Sequence, residues 1–323
     1  MHYDVVTLGE TMLRLTPPGQ QLIEQAHTLE MHVGGSESNV AVGLARLGWQ
    51  VAWVSRLTDN ALGRRIASAL RAYGVDTSHV VWTPEDRIGT YYVEAGPSPR
   101  GSTAIYDRAN SAMSRMQPQD LPEGLFQSTK PGLFHVSGIT LAIGQSAAQT
   151  AQSAAQMAKS AGWRVSFDVN YRATLWEPPI AAKTCTSLIE QADMVFIAHR
   201  DAVTLYSAPT DPDEAVAYMA SRFPNGVLTL TLGSQGAICH NPSSGIHRCA
   251  AFPAQGRGRV GGGDAFVAGF LSAYIATQQV DDALAWGTAA AAYKYTLSGD
   301  IPLLDRQQVQ DIITHGDRGS IRR

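Results

Sequence analysis

The chain has 323 residues, 44% of them hydrophobic and 16% charged, with a formal net charge of −3. This composition fits a soluble globular protein with a sizeable core, built as one large α/β domain or two smaller ones, and it offers no basic stripe for nucleic acid. No run of about eighteen apolar residues occurs and no basic stretch leads into an apolar one near the start, so neither a membrane span nor export is expected.

Residues 5–8, followed by Gly9, read as a buried strand. Residues 12–33 alternate like strands around Pro17-Pro18-Gly19. Residues 36–47 place Val40, Leu44 and Leu47 at helical spacing and stop at Gly48; residues 51–54 form the next strand. Ile66, Leu70 and Tyr73 mark a further helix closed by Gly74, and residues 88–106 alternate again around Gly96-Pro97-Ser98-Pro99. Strands follow at 133–136, 164–167, 194–197 and 227–232, with helical stretches between most of them. Among these, residues 146–161 are rich in alanine and read as a partly exposed helix. Residues 267–275 form an apolar helix, and the tail beyond Thr314 is expected to fray. Such alternation predicts a parallel sheet covered on both faces, with ligands gathering beyond the carboxyl ends of the strands. The segments 12–33 and 88–106 stand outside the rhythm. They read either as two hairpins forming a small sheet over the site or as ordinary edge strands. Cys185, Cys239 and Cys249 lack Cys-x-x-Cys spacing and read as reduced thiols of a cytoplasmic protein.

The most informative segment is Gly261-Gly262-Gly263-Asp264, directly before the apolar helix. Glycines let the backbone come close to a ligand, and the first turn of a helix has unpaired N–H groups that suit an anion. A carboxylate there makes sense as a base taking a proton from a hydroxyl while the amides hold a phosphoryl group. The plain alternative is a glycine turn with Asp264 as helix cap. Four further segments carry polar chemistry. Gly34-Gly35-Ser36-Glu37-Ser38-Asn39 runs into a helix start, offering close approach and, at Asn39, a donor and an acceptor; a cap is the alternative. Tyr91 and the run Tyr106-Asp107-Arg108 suit a small ligand with an apolar face and a carboxylate, unless Asp107 and Arg108 simply pair on the surface. Asp168, Asn170 and Arg172 alternate at a strand end and either share a face or serve as plain turn chemistry. Gly233-Ser234-Gln235-Gly236 turns after a strand, placed to pass under a nucleotide or to close any hairpin. Gly9-Glu10-Thr11 is not a dinucleotide fingerprint, and no Walker A sequence is present.

In this order the motifs resemble the ribokinase-like sugar kinases, the PfkB family, across nearly the whole chain. The match rests on residues 34–39, 231–237 and 261–264, with the stretch from Asp59 and Gly63 to Gly74-Val75 in register. Residues 106–112, 168–172 and Ser298-Gly299-Asp300-Ile301 look most like the 2-keto-3-deoxygluconate kinases of that family. The resemblance implies a single ribokinase-like domain over 1–323, a three-layer α/β/α sandwich with a mainly parallel sheet. A discontinuous β lid would come from about 10–33 and 88–110, pairing with a second copy into a homodimer. It implies transfer of the ATP γ-phosphate to the terminal hydroxyl of 2-keto-3-deoxygluconate or a related keto sugar acid, with Asp264 as base. Gly261, Gly262 and Gly263 would form the anion hole. Gly34, Gly35, Asn39, Tyr91, Tyr106, Arg108, Asn170 and Arg172 would line the sugar pocket, and Gly233, Ser234 and Gly236, with Gly261 and Gly263, would meet the nucleotide. A neutral sugar such as fructose, or a sugar-binding regulator without turnover, are the competing expectations. Two departures stand out. Gly258 and Arg259 replace the acidic start of the glycine motif, which puts activation by a monovalent cation such as potassium in question. Ala198-His199-Arg200-Asp201 replaces the family's Asn-x-x-Glu, leaving Asp201 as the carboxylate toward Mg²⁺ through water and predicting an altered magnesium dependence.

Overall fold

The computed structural model describes residues 2–96, 99–127, 130–254 and 260–316. Pro97 and Ser98 of the expected turn, Gly258 and Arg259, and the tail from 317 lie outside the described residues. In chain order the strands are β1 (Val5–Leu8), β2 (Met12–Thr16), β3 (Glu30–Gly34), β4 (Val51–Thr58), β5 (Val80–Thr83), β6 (Thr90–Glu94), β7 (Thr103–Asp107), β8 (Leu133–Ser137), β9 (Arg164–Asp168), β10 (Met194–Ala198), β11 (Val227–Thr231), β12 (Ala237–Asn241) and β13 (Gly245–Cys249). The helices are α1 (Ser36–Arg46), α2 (Ala61–Ala72), α3 (Gly138–Ala142), α4 (Gln145–Ser160), α5 (Pro178–Ile189), α6 (His199–Tyr206), α7 (Pro212–Arg222), α8 (Gly262–Thr277), α9 (Val280–Tyr295) and α10 (Arg306–His315).

The large sheet runs β13-β12-β11-β10-β9-β8-β1-β4-β5. It is parallel from β5 to β11 and closes on one edge with the antiparallel pair β12 and β13. Period-two alternation explains the two cores. On β1, Val6 and Leu8 join Phe134 and Phe167 on one face, while Val5 joins Trp53 and Phe270 on the other. The first face is covered by α4, α5 and α7, the second by α1, α2, α8 and α9, giving three layers and an α/β fold. The alanines of α4 are not low complexity for its own sake. Ala147, Ala151, Ala154, Ala155 and Ala158 recur every three or four residues and all lie buried against the sheet. Among the described residues no helix is long and apolar enough to cross a membrane, and all three cysteines are free.

The segments outside the alternation form a second sheet, ordered β3-β2-β6-β7. Each pairs as an antiparallel hairpin, β2 with β3 and β6 with β7, and a parallel β2–β6 ladder joins the two.

Helices α8 and α9 pack closely because small residues face each other. A Cβ added at Gly269 would lie 2.5 Å from the carbonyl oxygen of Trp286 and 2.7 Å from Cβ of Ala290. Helix propensity favours Gly269→Ala by about 1 kcal/mol, but a backbone oxygen cannot step aside, and overpacking costs about 1–3 kcal/mol. The variant is therefore expected to be less stable in urea unfolding. An increase in stability would show that the helix pair is packed more loosely than described.

Candidate active site

Strand β1 connects onward to β4 on one side, while β8 leads to β9 on the other, so the sheet order reverses between β1 and β8. Crevices form beyond the carboxyl ends of strands at such a switch. Glu37, in the first turn of α1, fills the base of this one. Its Oε1 accepts from the Ser137 backbone N–H (2.9 Å), the Ser137 hydroxyl (2.8 Å) and the Thr140 hydroxyl (2.6 Å). Gly9 ends β1 against it, and a Cβ there would collide with the Glu37 carboxyl group. Burial raises the Glu37 pKa to about 7, against the pull of the three donors.

Docked in this way, α1 presents Ser36 and Asn39 to Asp264. The Ser36 hydroxyl donates to Asp264 Oδ1 at 2.9 Å and the Asn39 amide donates to Oδ2 at 2.7 Å. Asp264 stands in the first turn of α8 but is not its cap; that position is Gly261, at φ 78, a left-handed conformation that glycine takes without strain. The first-turn N–H groups of α8 therefore face the same space as the carboxylate, and among the described residues nothing lies within 4 Å of a Cβ placed at Gly263. Burial raises the Asp264 pKa, while Asn39, Ser36 and the charge of Arg172 hold it down.

These groups share a cavity of about 100 Å³ with Gly34, Gly35, Tyr91, Tyr106, Arg108 and Arg172, together with Met12, Ile139, Thr174, Leu175, Val260, Gly261 and Asp300. Tyr91 and Tyr106 are cross-strand partners on β6 and β7, and their rings stack at 5.5 Å. Two expectations are corrected. Arg108 is neither paired with Asp107 nor free: its Nε and Nη2 donate to Glu10 in a buried ion pair, and Asp107 binds Arg87. Asp168, Asn170 and Arg172 do not alternate along a strand, because β9 ends at Asp168 and Asn170 turns to φ 40. The turn sends the Asn170 amide to the Ser36 hydroxyl (2.8 Å), outside the cavity lining, and leaves Arg172 in the lining with no ion pair among the described residues.

The remaining expected residues lie beyond the cavity lining. Gly262 packs under the Tyr295 ring, and Gly233, Ser234 and Gly236 turn the chain between β11 and β12, beyond the carboxyl end of β11. Asp201, in the first turn of α6, is buried and pairs with exposed Arg200 at 3.3 Å. Asp168 is raised to about 8, first by burial and then by the charges of Asp264 and Asp201. Among the described residues no three side chains stand close enough to hold a metal ion by themselves. The mutual repulsion of these carboxylates fits a cation nearby that one or two of them meet through water. Sequence reading gave no role to Ser36, Glu37 or Arg14. Arg14, on β2, forms a buried ion pair with Asp300 at 3.1 Å, and nothing around Arg14 along the chain announces this pairing. A larger open groove, about 610 Å³, lies between α4 and residues 124–127, but no titratable side chain lines it, so chemistry places the site at the smaller cavity.

The sequence pattern described as "pfkB family carbohydrate kinase" matches residues 3–306. The chain is 37% identical to a 2-dehydro-3-deoxygalactonokinase of Haloferax volcanii over 319 residues, covering 99% of each. It is 32% identical to a 2-dehydro-3-deoxygluconokinase of Thermoproteus tenax, over 92% of this chain and 89% of that one. The crystal structure of a 2-dehydro-3-deoxygluconokinase from Thermotoga maritima superposes with a TM-score of 0.86 at 27% identity, covering 97% of this chain and 100% of the other.

The raised pKa of Glu37 has a consequence for stability. A carboxyl group that titrates near 4.5 unfolded and near 7 folded favours the folded state when protonated. Its contribution, on the order of 3 kcal/mol, is complete below pH 4.5 and fades as pH rises through 7. Glu37→Gln keeps the acceptor and removes the charge, so the stability difference between pH 5 and pH 8 is expected to shrink in urea unfolding. An unchanged difference would mean that Glu37 is ionised in the fold at both pH values.

Proposed function

The chain belongs to the pfkB family of carbohydrate kinases, and we propose that it transfers the ATP γ-phosphate to the terminal hydroxyl of a 2-keto-3-deoxy sugar acid. The observation that carries this reading is one small cavity holding both a base and a cation: Asp264 at the start of α8 and Arg172, which forms no ion pair among the described residues. In this reading Arg172 binds the substrate carboxylate, a need that neutral hexoses do not have, and stacked Tyr91 and Tyr106 cover the carbon chain. Gly34, Gly35, Asn39 and Arg108 complete the wall, and Asn170 holds Ser36 in place.

Asp264 takes the proton of the terminal hydroxyl, whose oxygen then bonds to the γ-phosphorus as the bond to the ADP oxygen breaks. The N–H groups of Gly262, Gly263 and Asp264 at the helix start receive the charge on the transferring phosphoryl oxygens. Gly233, Ser234 and Gly236 lie under the nucleotide. Asp168 and Asp201 fit a divalent cation such as Mg²⁺ through water, and that ion supplies neutralising charge to the phosphates. The small sheet forms the lid, and its exposed Leu29, Met31 and Ile105 suit burial against a second copy of the chain. A single-chain mass in light scattering would exclude that dimer. Free thiols and this metabolic chemistry fit a cytoplasmic setting.

ADP release with ATP and Mg²⁺ tests the reading. Turnover is expected with 2-keto-3-deoxygluconate or 2-keto-3-deoxygalactonate, not with fructose or ribose. Asp264→Asn should lower kcat by about 10²–10⁴-fold. Arg172→Ala should raise KM for the keto acid by about 10–100-fold. Equal turnover of neutral sugars would move the assignment to a neutral-sugar kinase.

The pH profile offers a separate check. Asp264 acts as base only when ionised, and burial raises its pKa, so the acid limb of kcat/KM should lie above the ordinary carboxylate range. Asn39→Ala removes a hydrogen bond that favours the ionised form, and the limb should move further up in pH. A limb that stays put or moves down would remove Asp264 as its source.

A further inference from the structure

Behind the glycine turn, on the last turn of α9, Lys294 is only 1% exposed. Its ammonium donates to the carbonyl oxygens of Gly299 at 2.8 Å and Leu297 at 3.4 Å. Both belong to the short loop that follows α9 and leads to Asp300. This loop also forms the back of the turn: a Cβ at Gly261 would collide with the Asp300 carbonyl and lie 3.2 Å from Lys294 Cε. The lysine stem is thus packed against the residue that caps α8, and its charge sits in a small cage made by two carbonyl oxygens, those of Leu297 and Gly299.

The charge is costly to keep. Burial lowers the Lys294 pKa, and the carboxylates of Asp300 and Asp264 oppose that shift. A methionine would fill the same space without desolvating an ammonium. The neighbours show what the charge does. Arg14 and Lys294 carry two positive charges and the Asp300 carboxylate one negative, which leaves one net positive charge behind Gly261. On the other side of that turn lie the first N–H groups of α8, where negative charge gathers during phosphoryl transfer.

We propose that Lys294 is a tethered monovalent cation: its ammonium fills the cage made by the Leu297 and Gly299 carbonyls, fixes the Gly261 turn and makes turnover independent of added potassium or sodium. It is a positioning residue, since it acts through the turn and touches no reacting atom. The role rests on the kinase reading above.

The test measures initial rates of the purified wild-type enzyme with ATP, Mg²⁺ and the keto acid in tetramethylammonium buffer, with potassium, sodium or ammonium added in turn. The wild type is expected to vary by no more than about two-fold across these buffers. Lys294→Met should lose about 10²-fold or more in kcat with little change in sugar KM. Lys294→Ala, which leaves the cage open, should regain part of that loss saturably with ammonium or potassium. A merely structural lysine would show no such rescue. A potassium requirement in the wild type, full kcat in Lys294→Met, or a Lys294→Ala deficit blind to every cation would each overturn the proposal. If thermal unfolding shows that neither variant folds, the wild-type comparison decides between the two outcomes. Wild-type silence in every buffer would instead overturn the kinase reading, and this role with it.

Discussion

The contact on which the site depends is the one between α1 and α8, where Ser36 and Asn39 hold the two oxygens of Asp264. The partners come from opposite ends of the chain, so the contact exists only once the whole sheet has been laid down between them. Its precision comes from steric closeness. A Cβ at Gly43 would lie 2.7 Å from Cβ of Ala268, so the two helices approach nearly backbone to backbone one turn beyond the polar contact. Side chains as short as serine and asparagine reach the carboxylate only because the helices are this close. Glu37 fixes the other side of α1 to the ends of β1 and β8, and the helix start is therefore held on two sides.

Electrostatics then sets what the held carboxylate does. Burial pushes the pKa values of Asp264, Asp168 and Asp201 upward, and each is opposed by local partners. Asp264 has two neutral donors and Arg172, Asp168 has one backbone N–H and Arg172, and Asp201 has Arg200 and Arg172. Arg172 thus recurs as the positive charge common to all three. A base with a raised pKa is a stronger proton acceptor than an ordinary carboxylate, and the hydrogen bonds that fix its geometry also limit how far that rise goes.

Much of this was legible in the chain. The parallel strands announced themselves as short apolar runs, and the glycine turn before an apolar helix announced Asp264. Gly34, Asn39, Tyr91, Tyr106 and Arg172, singled out from motifs, line one cavity because they sit where strand and helix ends converge. What sequence reading missed was tertiary. Ser36 looked like part of a cap, yet Gly35 holds that position and the hydroxyl crosses to another helix. Arg108 looked available because its partner, Glu10, lies near the start of the chain in a stretch without a motif. The shared face proposed for Asp168, Asn170 and Arg172 was lost to the turn reading because asparagine tolerates the left-handed turn at 170, which no alternation pattern records. The antiparallel edge of β12 and β13 was hidden for a related reason. β12 is buried over only its first three residues and β13 is nowhere fully buried and carries Arg248, so neither shows the continuous apolar run of the central strands.

The two buried ion pairs also explain how a small sheet held by few strands keeps a defined position over the cavity. Arg14 lies on β2 and reaches Asp300, which follows α9; Arg108 lies just past β7 and reaches Glu10, which follows β1. Each pair therefore ties the small sheet to the body of the molecule at its root, and all four side chains are less than a tenth exposed. Breaking one pair by removing a partner strands a buried charge, at a cost of about 3–5 kcal/mol. The outer strand β7, by contrast, is exposed along its whole length. Exposure is thus concentrated on the outer strand, while Tyr91, buried beside Asp300, belongs to the root. Of the stacked pair, Tyr106 on β7 is the exposed ring, and Tyr91 is the buried ring whose position the root of the sheet sets.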